Sequence, residues 1–166
     1  GFLMILSYYF QVVLLLLCIF FLVMHNRSEF LSDWLISISY LMAKDYVNAT
    51  SFVLKASSNF IYNQKEKDDN TKWIVPIIPF IGITIVTLFL KTSNFQFIPM
   101  ILLMFHFFCE WFIEDEYSKT PPICCVWFLF CIYNIFIGMY LIAASNLVLC
   151  INNFLIFKQC YEKKES

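Results

Sequence analysis

The sequence predicts an all-α integral membrane protein with four transmembrane helices and an amphipathic helical loop between the first and second. Three observations predict it. Residues 123–157 contain no Asp, Glu, Lys or Arg, and an uncharged run of about 18 or more apolar residues can cross the roughly 30 Å hydrocarbon core as a helix. Residues 2–24 form another uncharged run of that length. Hydrophobic residues make up 61% of the chain and charged ones 14%, against about 45–50% and about 25% in soluble domains, which argues against a soluble globular fold. The formal net charge of −1 gives no basic patch, so nucleic acid is a poor partner. The chain has room for one membrane domain, with spans at 2–24, 73–90, 98–113 and 123–150, an extramembrane loop at 25–72 and a tail at 158–166.

The first span lacks the positively charged flank, short apolar core and small-residue cleavage site of a secretory signal peptide. Gln11, in mid-span, suits a hydrogen bond between packed helices. The loop that follows balances Arg27, Lys44 and Lys55 against Glu29, Asp33 and Asp45. Within it Leu31, Trp34, Leu35, Ile38 and Leu41 recur at helical spacing, and Ser28-Glu29 suits a helix start. This predicts an amphipathic helix on the membrane surface, with Trp34 at headgroup level. A weaker helix over 46–62 follows, and then a solvated linker over 63–72 that has no apolar residue.

The second span opens on Trp73 as an interfacial anchor and carries Pro76 early and Pro79 deeper, where a bend is expected. A short connector at 91–97 makes the second and third spans antiparallel neighbours, and Pro99 sits early in the third. Pro121-Pro122 marks a turn at 117–122. As one helix the 35 residues from 123 to 157 would be roughly 52 Å long, so a protruding single helix competes with a split near Ala143-Ala144-Ser145-Asn146. With no Gly or Pro at that point, the single helix is favoured.

Charge sets the expected topology. Four spans place both termini on one side, and Lys91, Lys158, Lys163 and Lys164 in short segments make that side the cytosol. The long loop then faces the lumen or exterior, where Asn26-Arg27-Ser28 and Asn48-Ala49-Thr50 are glycosylation sequons and Asn48 is the one far enough from a span to be modified. Lys163 and Lys164, near the carboxyl end of the sequence, resemble a dilysine retrieval signal of endoplasmic reticulum membrane proteins; alternatively they are positive flanks touching anionic lipid. None of the seven cysteines lies in the long loop, so no lumenal disulfide is expected there. Most pack as small hydrophobes, while Cys160, just past the last span, is a candidate for palmitoylation.

Chemistry, if present, centres on the third span. His106, Glu110 and Glu114 are spaced i, i+4, i+8 along one helix face, and an intramembrane carboxylate is by default a functional hypothesis. The three could handle a proton or bind a cation, with His106 and Glu110 as the first pair and Glu114 outside them. In the structural alternative, which is favoured, Glu110 reaches the interface and His106 is hydrogen-bonded within the helix packing. No phosphate loop, H-E-x-x-H or G-x-S-x-G occurs, and no metal or cofactor is expected.

The segment His106-x-x-x-Glu110-Trp111-Phe112 resembles the His and Glu on one membrane helix of the emopamil-binding sterol isomerase family, where such groups would move a proton. The segment Lys72-Trp73-Ile74-Val75-Pro76, with the short hairpin after it and the polar tail, is similar to lysosome-associated four-span proteins. Neither resemblance assigns the chain to a family. The functional expectation is a non-catalytic accessory or assembly subunit of a larger membrane complex, in the endoplasmic reticulum or endomembrane system, with other integral membrane subunits and lipids as partners. The alternatives are an intramembrane lipid- or sterol-modifying enzyme using His106 and Glu110, and a mitochondrial inner-membrane subunit.

Overall fold

A computed structural model describes residues 1–25, 30–64 and 74–165. The first sequon, the Ser28-Glu29 helix start, Trp73 and most of the polar linker lie outside the described residues. Among those described, seven α-helices follow one another: α1 (Phe2–Val23), α2 (Phe30–Met42), α3 (Tyr46–Gln64), α4 (Ile74–Leu90), α5 (Phe97–Phe112), α6 (Glu116–Phe136) and α7 (Tyr140–Glu165). A 3₁₀ turn at Asn94–Gln96 leads into α5. Four stretches are long and apolar enough to cross a membrane, namely Phe2–Val23, Asn94–Phe112, Tyr117–Phe136 and Tyr140–Glu165, and the chain is an all-α membrane protein.

The helices alternate in direction. The Ser7 hydroxyl donates to the Ser39 carbonyl (2.7 Å), and Cys18 Sγ lies 3.8 Å from Ser32 Oγ, so the start of α1 meets the end of α2. Ser37 Oγ donates to the Ala49 carbonyl (2.7 Å) and Lys55 reaches Asp33, which makes α2 and α3 antiparallel. Gln96 Nε2 donates to Asp45 (3.2 Å) and brings the start of α5 to the start of α3. Glu110 meets Lys119 near one end of the α5–α6 pair, and Phe95 stacks on Tyr133 near the other. α7 packs on α6 and closes back onto α1, while α4 packs on α3 and α5. The start of α1 and the end of α7 therefore lie at opposite ends of the bundle, called here its amino and carboxyl ends.

This arrangement bears on four expectations and corrects the first two. The long fourth span is two helices, α6 and α7, because Gly138 adopts φ +82° and turns the chain there. This left-handed backbone is strained for any residue with a Cβ and open to glycine. The prolines do not mark a turn: Pro121 and Pro122 stand inside α6, whose first turn begins earlier, capped by the Asp115 side chain accepting from the Tyr117 N–H. A common side was expected for both termini, and the alternation of the described helices puts the start of α1 and the end of α7 at opposite ends of the bundle.

The fourth expectation concerns 25–72. α2 and α3 do not lie apart on a surface; they are built into the bundle, with Ile36, Tyr40, Phe52 and Ala56 in its core. The face that α2 turns inward is the one rich in Ser32, Asp33, Ser37 and Ser39, and Leu31 and Leu41 point out. Lipid tails are as apolar as leucine and exert no hydrophobic drive for helix packing. Polar groups, by contrast, must find partners inside. Helical spacing separated the two faces of α2, and the serine-rich one packs into the bundle.

Candidate functional site

The residues first singled out do not form one site. His106 is fully buried on α5, its ring edge-on to Trp127 of α6 with centroids 5.7 Å apart. Glu110, one turn on, is 3.7 Å from Lys119 Nζ of α6. Glu114 does not continue the helix face, because α5 ends at Phe112 and Ile113 is extended (φ −98°, ψ 112°); it stands exposed. The i, i+4, i+8 spacing therefore holds only for His106 and Glu110, and each faces α6 through a different neighbour.

Sequence reading missed the centre of the charge distribution. Lys55 and Asp33 are both completely buried. Lys55 Nζ donates to both Asp33 carboxylate oxygens, at 3.0 and 2.8 Å, and Asn59 Nδ2 adds a third donor at 3.1 Å. The ammonium also lies 5.1 Å from the centroid of the Trp127 ring, whose electron-rich face favours a cation. Trp127 thus stands between Lys55 and His106, and one cluster joins α2, α3, α5 and α6. The signal was present in the sequence: a Lys and an Asp in a helical region otherwise apolar and serine-rich. On sequence alone they read as part of the balanced charge of an extramembrane helical loop.

A second polar layer lies towards the amino end. The Tyr40 hydroxyl donates to Asn134 Oδ1, and Asn134 Nδ2 donates to the Phe130 carbonyl (2.9 Å) and to Asn146 Oδ1 (2.8 Å). Asn48 Nδ2 donates to Asp45 (2.7 Å) and to the Tyr133 hydroxyl (3.2 Å). Beside this layer a cavity of about 370 Å³ is lined by Met4, Asp45, Phe95, Gln96, Tyr133 and Met139, among others. Four segments distant in sequence meet there, at the start of α1 and at the α2–α3, α4–α5 and α6–α7 turns.

The modification candidates fare differently. Asn48 is 0% exposed and its amide donates to Asp45 and Tyr133, a placement that leaves a glycan no room on the folded chain. Cys160 is half-buried on α7, beside a smaller cavity at the carboxyl end that Asp115, Tyr117, Lys163 and Lys164 also line. Lys163 and Lys164 are exposed in the last turn of α7, with Lys164 Nζ 4.4 Å from the Tyr117 ring centroid. Nearby, the Ser118 hydroxyl and the Tyr117 and Ser118 amides hold the Asp115 carboxyl below its usual range. No protein-family model, no curated protein and no solved structure matches this chain.

Proposed function

We propose that the chain acts by association and not by catalysis, as a non-catalytic accessory or assembly subunit of a larger membrane complex in the endoplasmic reticulum or endomembrane system. The observation that carries this reading is the internal pairing of its buried charges. Asp33 is taken by Lys55 and Asn59, and Glu110 lies beside Lys119. A catalytic acid or base needs its proton within reach of a substrate atom, and fully buried His106 packs behind Trp127. Outward faces offer the opposite chemistry: Leu16, Ile78, Phe89 and Phe136 are among the exposed apolar side chains, suited to lipid and to the helices of other subunits.

Purification of the full chain in mild detergent tests the reading. Integral membrane subunits in fixed ratio to the chain are expected, and Glu110→Gln should leave both assembly and the lipid composition of the membrane unchanged. A lipid or sterol conversion lost in Glu110→Gln with assembly intact would replace this reading by an enzymatic one. Changing Lys163 and Lys164 together to Ser should release the chain to later compartments; unchanged distribution would remove the retrieval assignment.

A further inference from the structure

We infer that the cavity at the amino end binds a small organic ammonium ion, an amine cation carrying a short apolar body. This goes beyond the subunit reading and does not depend on it.

Four features of the wall point to that chemistry. Asp45 is the only Asp, Glu, Lys, Arg or His among the residues lining the cavity. Its carboxylate accepts from three neutral donors: the Asn48 backbone N–H (3.2 Å), Asn48 Nδ2 (2.7 Å) and Gln96 Nε2 (3.2 Å). A carboxylate offers about four acceptor positions, so one remains for a ligand. Among the described residues no cation pairs with Asp45. Lys91 Nζ donates to Asn94 Oδ1 (2.6 Å) and lies over the Phe97 ring, and Lys44 is exposed.

The remaining walls favour the same charge. Phe95 and Tyr133 stack with centroids 5.4 Å apart and planes 24° from parallel, and aromatic faces attract organic cations. Met4 and Met139 add polarisable thioethers. An anion would meet the Asp45 charge, and a neutral apolar molecule would leave that carboxylate without a counterion. The volume of about 370 Å³ lies at the small end of ligand pockets, which run from about 300 to 1,000 Å³. The ammonium could belong to a free amine or to a choline headgroup, and the test separates the two.

The full chain is placed in phosphatidylglycerol nanodiscs and titrated with choline, with phenethylamine and with 3,3-dimethylbutan-1-ol, the neutral isostere of choline. Saturable calorimetric binding of the two cations is expected, with none for the neutral compound. Asp45→Asn keeps a residue that can cap α3 and should weaken cation binding by about tenfold or more, as loss of a charge-assisted contact implies. Phe95→Leu, in an exposed connector, should weaken it severalfold without touching the carboxylate. Glu114→Gln should bind as the parent does. Repeating the titration in phosphatidylcholine nanodiscs assigns the source: reduced binding identifies the lipid headgroup as a competing occupant, and unchanged binding a free amine, and the site stands in both cases. Equal binding of the neutral isostere, no saturable binding of either cation, or full cation affinity in a folded Asp45→Asn protein would overturn the proposal and leave Asp45 as a helix cap only.

Discussion

Lys55 and Asp33 form a completely buried ion pair, and removal of one partner leaves an uncompensated charge where solvent cannot reach. Lys55→Met is therefore expected to destabilise the bundle by about 3–5 kcal/mol, measured by denaturant unfolding in detergent. Adding Asp33→Leu to it should recover most of that loss, because the desolvation cost of both charges disappears together. If Lys55→Met unfolds at the parent's midpoint, the pair is not buried as described. Gly138 tests a different mechanism. No atom lies within 4 Å of where its Cβ would stand, so Gly138→Ala meets no clash and should cost only the backbone strain of its φ of +82°, about 1–2 kcal/mol.

Neighbouring helices supply the next set of tests. Cys124 Sγ on α6 and Cys150 Sγ on α7 are 3.3 Å apart, whereas in one continuous helix these residues would be separated by roughly 39 Å. A mild thiol oxidant should therefore link them, and digestion should yield a joined peptide detected by mass spectrometry; with Cys124→Ser the product should vanish. The start of α6 depends on Asp115, whose carboxyl is held low by Ser118 and by the backbone amides of Tyr117 and Ser118. A carboxyl depressed in the folded state stabilises above its unfolded pKa, about 3.9, and that contribution fades as pH falls through the folded value. Hydrogen exchange in the first turn of α6, corrected for its intrinsic pH dependence, should be flat from pH 7 to about 5 and rise only in stronger acid. Asp115→Ala should show the raised exchange at every pH.

At the scale of the whole molecule, α1 and α7 run the same way, so tags on Gly1 and after Ser166 are expected on opposite faces of the membrane. An impermeant protease acting on sealed vesicles should remove one and spare the other. Removal of both from the same side would reject the alternating bundle. That orientation follows from the turn at Gly138 and from the packing of α2 and α3 into the bundle. Gly138 was passed over because the uncharged run around it was continuous, and a run of hydropathy counts residues without marking where they turn.

Composition and two uncharged runs were enough to determine the class: too little charge for a water-soluble surface, and helices long enough for lipid. The face of α2 was legible as well, since helical spacing depends only on local geometry. Which way that face points, and where the chain reverses, were decided by tertiary structure. Asp33 and Lys55 are 22 residues apart, and Asp45 and Gln96 are 51 apart. Their partners become visible only when helices are placed side by side. A buried charge is stable only beside its counterpart, and that adjacency is a property of packing which a linear pattern of residues does not contain.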